Sequence, residues 1–421
     1  MSLAAAPASP APGTATTTVA ALPNGFRVLV RENPVASVVA ATLFVAVGSC
    51  HEAAAVNGVT ALLGRVLLKG TRTRSALELA QLAEDAGGAL ESATDQEYSE
   101  LRVRGLARHW RLLVGLLHDM ATAPAFLAEE IERERQTLLA VIRGLEDQPF
   151  QVANRLLTRA LYGEHPGGQP SAGIPATVER LGRPELVAHF DRTFAPERMI
   201  LAVSGQVSAA EVLPEVERVF GTLVRRGGEP APEPPPGRPV TARVVEPRPT
   251  EQTQVLVGFL APPIGHPDHV PLKVLNAALG GGMSGRLFRT LRDEEGLAYS
   301  VGSFYPTRRA SSRVVVHIGT APENLTRAEA GIDREIRVLQ EGSVPDEELA
   351  RAKAYLTGAF DLDLRTNARQ SFYLGFFELM GAGHAYVGRY PAAIEAVTSE
   401  AVRRVAARWL VEPATAVVGP A

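Results

Sequence analysis

The 421-residue chain has one cysteine, Cys50, so neither an internal disulfide framework nor a cysteine-rich zinc centre can be built. It lacks a long apolar run: Val38 to Gly48 is the longest stretch, far short of the ~20 residues a membrane helix needs. It also lacks an excess of either charge. With 43 basic and 46 acidic residues it has no whole-chain field to attract nucleic acid or acidic membrane. No P-loop occurs, and Gly282-Met283-Ser284-Gly285 misses the G-x-S-x-G nucleophile elbow by one residue. Neither H-E-x-x-H nor H-x-x-E-H is present. The first residues show no basic segment followed by an apolar core, so no export signal is read. Residues 1–22, rich in Ala, Pro and Thr, are expected to form a flexible leader. The default compartment is then the cytoplasm, or the periplasm if the leader is what remains of a trimmed precursor.

What is present is ordinary for a soluble globular protein: 46% hydrophobic and 21% charged residues. The length suggests more than one domain. The segment GGEPAPEPPPGR, from Gly227 to Arg238, is too dense in proline to continue a helix or a central strand. The expected organisation is therefore a leader (1–22), an N-terminal domain (23–226), a linker (227–240) and a C-terminal domain (241–421).

The two halves look like weak repeats. LRVRGLA at Leu101–Ala107 matches RVVVHIGTA at Arg313–Ala321 in kind. Glu129-Glu130-Ile131 and Glu347-Glu348-Leu349 each open a helix. Pro196 and Pro413 each precede a strand-like run. All three comparisons keep an offset of roughly 215 residues, the mark of a duplication. Phe26–Arg31 and Ala36–Val47, separated by Asn33-Pro34, suggest an antiparallel pair. Ser75–Ala86 has apolar residues at helical spacing and stops at Gly87-Gly88. Strands in antiparallel-looking clusters followed by helices predict an α+β fold: two homologous domains, each a mostly antiparallel sheet packed with helices.

Candidate chemistry is sparse. The nine histidines are scattered, and the closest pair, His266 and His269, is expected to be solvated in a loop. Arg308-Arg309 is expected on a solvated face. Gly280-Gly281-Gly282 allows either close approach by a peptide or a tight turn. Arg286–Glu295 predicts a helix stopped by Gly296, and Leu297–Val301 a strand after it. On spacing alone, Arg292 in the last helical turn complements the helix dipole and Tyr299 packs on the strand.

Longer stretches carry more. The run VGSCHEAAAVNGVTALLGRVLLKGT from Val47 resembles the signature of the pitrilysin/insulinase metallopeptidase family, in its processing-peptidase-like branch. Gly48-Ser49, Glu52, Gly58 and Lys69-Gly70-Thr71 fill its flanking positions. Leu82–Leu101 and Glu132–Pro149 resemble the segments that follow, the second being the helix that supplies the last zinc ligand. The resemblance runs through most of both halves. It places the two zinc histidines at Ala61 and Arg65, the catalytic glutamate at Gly64 and the distal glutamate ligand at Val141. Alanine and valine have no lone pair to offer, arginine repels a cation, and glycine cannot act as a base. The segment LGGGMSGRLFRTLRDEEGLAYSVGSFY, Leu279–Tyr305, resembles the family's C-terminal signature, whose Arg/Tyr pair falls on Arg292 and Tyr299.

The resemblance thus implies a non-catalytic subunit of a heterodimeric zinc peptidase. It would hold no cofactor itself, bind peptide substrate, and pair with a zinc-bearing sister subunit. No peptidase activity is expected of the chain alone. The alternative is a structural core-type subunit, or a homodimer that binds peptide without hydrolysis. No nucleic-acid partner and no membrane span are expected.

Overall fold

The structure is a computed structural model that describes residues 16–227, 237–342 and 344–420. The N-terminal half begins with β1 (Thr17–Ala21), β2 (Arg27–Glu32), β3 (Val38–Val45), α1 (Val59–Val66) and α2 (Ala76–Asp85). There follow β4 (Ala89–Thr94), β5 (Ser99–Leu106), α3 (Trp110–Thr122), α4 (Ala128–Glu146) and α5 (Pro149–Tyr162). It closes with α6 (Pro175–Val178), α7 (Arg183–Thr193), β6 (Met199–Gly205) and α8 (Ala209–Phe220). The C-terminal half runs β7 (Arg243–Pro247), β8 (Thr253–Ala261), α9 (His269–Gly280), a π-helical segment (Phe288–Glu294), β9 (Ser300–Phe304) and β10 (Ser312–Thr320). Five helices then lead to the last strand: α10 (Leu325–Glu341), α11 (Asp346–Asp363), α12 (Asn367–Leu379), α13 (Tyr386–Glu395), α14 (Ser399–Trp409) and β11 (Ala414–Gly419).

Local signals account for several boundaries. Glu78 and Ser75 form a reciprocal capping box at the start of α2, with Ser75 N–H donating to the Glu78 carboxylate at 2.7 Å. Gly58 begins α1 with φ +99°, a left-handed conformation that a side chain disfavours, and it packs against Gly173.

The first sheet has the order β1-β2-β6-β3-β5-β4, the second β7-β11-β8-β10-β9. From β2 and β7 onward the orders match strand for strand, and only β2–β6 and β7–β11 are parallel. The sheets are therefore mostly antiparallel, and the duplication seen in sequence is a duplication of topology. Two expectations are corrected. β2 and β3 do not pair with each other; β6 lies between them, parallel to β2 and antiparallel to β3. Within the predicted leader, Thr17–Ala21 is a strand, β1, paired antiparallel with β2. Residues 1–15 and 228–236, the bulk of the leader and of the linker, lie outside the described residues.

Both faces of each sheet are buried, which is why β3 and β6 are apolar without alternation. Val39, Ala41, Leu43 and Val45 face a core roofed by helices of their own half, including α1, α3 and α8. Phe44 and Ala46 face the other way, with Leu29, Ile200 and Ala202, and pack against Leu374, Phe376 and Phe377 of α12. The second sheet repeats the plan with Val255, Val257 and Phe259 on its own helices. Its far face, Leu256, Val315, Ala416 and Val418, is covered by Val152, Leu157 and Leu161 of α5. Each half thus lends one helix to the other's sheet. Polar bonds fix the register of these lent helices: Thr42 with Ser371 at 3.1 Å, Asn33 with Asn367 at 2.7 Å, and Tyr162 donating to the Ser312 carbonyl at 3.0 Å. The fit is close, since a Cβ on Gly375 would meet the Phe44 ring at 2.5 Å.

Candidate functional site

Two regions hold the residues singled out in sequence. The first is α1 with its surroundings. Its N-terminus is capped by Glu52, a buried carboxylate that accepts from Gly58 N at 2.7 Å, Thr60 N at 2.7 Å and Asn57 Nδ2 at 2.8 Å. Burial pushes this carboxyl above its usual range, and the hydrogen bonds pull it part of the way back. In the same first turn, Thr60 Oγ1 meets buried His189 Nε2 at 2.9 Å. Burial and the neighbouring Arg192 drive that imidazole down to about 3, so it is neutral.

Ala61 and Arg65 share one face of α1, four residues apart. Gly64 lies against β4: its carbonyl accepts from Ser92 Oγ at 2.7 Å, and a Cβ there would stand 2.9 Å from Thr94 Oγ1. Arg65 Nε donates to Glu134 Oε2 of α4 at 2.7 Å, and Lys69 Nζ reaches Glu134 Oε1 at 2.9 Å. Glu134 is buried, whereas Arg65 and Lys69 are each about one-third exposed. Val141, seven residues on from Glu134 and so on the same side of α4, is 43% exposed. A zinc ion does not fit this set. Ala61 and Val141 supply no donor atom, and Glu134, the α4 carboxylate that meets α1, is held by two cations. Among the described residues no group of three His, Cys, Asp or Glu side chains is arranged to hold a metal. Glu134 was missed in sequence; its position on α4, among other charged residues, is ordinary until its partners are seen.

The second region follows α9. Gly280 ends that helix with its Cα against Ser303 of β9, where a Cβ would stand 2.3 Å from the Ser303 nitrogen. Gly281 N–H donates to the Ala277 carbonyl at 3.0 Å, closing the turn. Only Gly282 is in the left-handed region, φ +83°, and it is exposed. The expected helix at Arg286–Glu295 is a π-helical segment over Phe288–Glu294, and the expected strand starts later, at Ser300. Arg292 is exposed and stacks its guanidinium 4.7 Å from the Phe288 ring centre. Tyr299 is held by its backbone N–H to the Gly319 carbonyl at 3.0 Å, while its ring is 75% exposed rather than packed on the strand. Among the described residues neither side chain makes a hydrogen bond or ion pair. A cavity of about 340 Å³ lies where the halves meet, lined by Cys50, His51, Arg198, Arg308 and Met380 among others; Arg292 and Tyr299 are not part of its lining.

Two bland sequence readings are corrected. His269 is buried, with Nδ1 3.0 Å from the Tyr305 hydroxyl, and burial drives its imidazole down to about 3. Arg308 is largely covered and pairs with Asp95 at 2.9 Å, because the segment that carries it crosses to the N-terminal half.

Family models match across most of the chain: insulinase (peptidase family M16) over residues 27–173, and the peptidase M16 inactive domain over 180–356. An uncharacterised zinc protease of Mycobacterium bovis is 32% identical over 405 residues, which covers 95% of this chain and 92% of that protein.

The chain belongs to the M16 peptidase family.

Other M16-like relatives agree. The uncharacterised zinc protease YmxG of Bacillus subtilis is 29% identical over 94% of this chain and 97% of its own length. Among solved structures, a peptidase M16 inactive domain from Pseudomonas fluorescens superposes with a TM-score of 0.90 at 21% identity, covering 96% of this chain and 98% of that one. A protease from Helicobacter pylori gives 0.89 at 18% identity over 96% and 100%. At these identities the likeness is one of fold, and it is the two-domain α+β fold expected from the sequence. No helix among the described residues is long and apolar enough to cross a membrane.

Proposed function

We propose that this M16 chain is the non-catalytic subunit of a heterodimeric zinc peptidase, supplying Arg292 and Tyr299 beside a zinc-bearing sister subunit. The observation that carries the reading is a contrast within one chain. The α1–α4 region has Ala61, Gly64, Arg65 and Val141 where zinc chemistry needs donors and a base, with Arg65 and Lys69 paired to Glu134. The region after α9 keeps an exposed Tyr299 and an exposed Arg292 with polar groups free for a substrate.

Hydrolysis would belong to the sister subunit, which would also hold the zinc. Tyr299 would donate its hydroxyl to the oxyanion of the tetrahedral intermediate. Arg292 would donate to backbone carbonyls or a carboxylate of the bound peptide, its guanidinium levelled by Phe288. Of the three glycines, Gly282 is the one exposed to an approaching peptide backbone; Gly280 and Gly281 shape the turn that presents it.

The test is co-expression with a zinc-bearing M16 sister, followed by cleavage of a peptide library with and without chelator. Chelator-sensitive cleavage is expected only from the pair. Tyr299→Phe should lower kcat by about 10²–10³ with assembly unchanged. Full activity in that variant would remove Tyr299 from the chemistry. A stable complex without cleavage would point to a structural subunit, and a self-dimer that retains peptide to a binding protein.

A further inference from the structure

Arg313 is a covered cation that has no anion beside it. It stands on β10, where strand alternation puts it on the same face as Val315, the face covered by α5. Its guanidinium reaches across to that helix: Nη1 donates to Thr158 Oγ1, and Nη2 to Asn154 Oδ1 at 3.0 Å. Both acceptors are neutral. The other three of its five N–H groups take no partner among the described residues, and no described carboxylate pairs with it. Burial, with Arg308 adding to it, pulls the guanidinium from 12.5 down to about 10, so it is still charged at neutral pH. A charge taken out of water and met only by neutral groups is costly unless something compensates it.

Arg313 lines a cavity of about 170 Å³ between α4, α5 and the loop at 168–173. An engineered cavity of ~150 Å³ holds a benzene-sized molecule, so a ligand of about six to ten non-hydrogen atoms fits. Glu146, the carboxylate in the wall, is taken by Arg155 at 3.0 Å and by Arg248 at 3.3 Å, which leaves Arg313 the unmatched charge. Gln169 adds a second unmet group: its Nε2 donates to the Glu52 carbonyl at 3.3 Å, while its buried Oε1 has no hydrogen-bond partner. Ile142, Leu145 and Ala172 give the cavity an apolar wall. The lining thus asks for an anion, a hydrogen donor and a short apolar body in one small molecule.

We propose that this cavity binds a small hydroxycarboxylate, its carboxylate on Arg313 and its hydroxyl donating to Gln169. The three uncommitted N–H groups of Arg313 suffice for a two-pronged contact with a carboxylate. Because Arg313 belongs to the C-terminal half and the cavity wall to the N-terminal half, the ligand would also tighten the seat of α5 on the second sheet. The site uses neither Arg292, Tyr299 nor a sister subunit, so it stands or falls apart from the function proposed above.

The experiment is isothermal titration of the isolated full chain with α-hydroxyisovalerate, its uncharged amide and inorganic phosphate. The acid is expected to bind about tenfold or more tighter than the other two, since the amide lacks the charge and phosphate lacks the apolar body. Saturating acid should also raise the Tm of the chain, and the amide at the same concentration should not. Arg313→Gln should erase the difference between acid and amide. If that variant fails to fold, Gln151→Trp sets a large ring in the cavity wall, leaves Arg313, Asn154 and Thr158 in place, and should weaken the acid about tenfold or more. Amide or phosphate binding as tightly as the acid, no binding of the acid, or acid binding unchanged in both variants overturns the proposal.

Discussion

Glu100 gives the sharpest physical test of the fold. It lies on β5 between Phe44 of β3 and Ala93 of β4 and is almost fully buried. Its Oε2 has no hydrogen-bond partner, and its nearest cation, Arg102, is 3.8 Å away. Burial pushes the carboxyl up from 4.5 to about 7; Arg102 and Arg369 oppose this, and Asp95 and Glu91 add to it. A raised folded-state pKa means that the native chain binds this proton more tightly than the unfolded chain does. The associated stability is complete below pH 4.5 and is lost as the pH rises through 7. Each tenfold difference in proton affinity between the two states is worth ~1.4 kcal/mol, so the loss over that window is about 3 kcal/mol. Glu100→Gln keeps the shape and removes the charge. It should leave stability near pH 4.5 little changed and raise it at pH 8 by up to about 3 kcal/mol. Urea unfolding of both chains from pH 4.5 to 8.5 is the assay. Parallel pH profiles, or a variant less stable than the natural chain at pH 8, would refute the reasoning.

Other outcomes follow from the same contacts. Glu52→Ala leaves the N–H groups of Gly58 and Thr60 without an acceptor and the Asn57 amide with the Pro170 carbonyl alone, and should cost on the order of 3 kcal/mol in denaturant unfolding. Gly375→Val forces a side chain onto the Phe44 ring and should cost about 1–3 kcal/mol, read as a lower Tm. Equilibrium dialysis of the isolated chain against zinc, followed by metal analysis, should find no stoichiometric tightly held ion; one bound per chain would contradict the account of Arg65 and Glu134.

Much of the plan was legible in the residues. The antiparallel-looking strand clusters, the recurring offset and the helical spacing from Ser75 to the Gly87-Gly88 stop were readable, and the two matching sheets and α2 follow them. β6 between β2 and β3 was not legible, because parallel insertion of a strand from 150 residues or more downstream leaves no mark in a hairpin-like pair of runs. His269 and Arg308 were misjudged for a related reason. Their segments look like polar loops, and only the packing of Tyr305 and Asp95 against them buries their side chains. At the candidate site, the identities of Ala61, Gly64, Arg65 and Val141 were plain, but the capture of Glu134 by Arg65 and Lys69 depends on how α1 lies on α4.

The lending of α5 and α12 constrains how such a chain can arise. Cut at the linker, each piece would carry a sheet with one naked greasy side and a helix with nowhere to dock. An ancestral gene of half this length would have needed two copies clasping one another from the outset. Joining two such copies end to end would make the embrace permanent, and would free either half to shed or acquire chemistry while the other kept the shape.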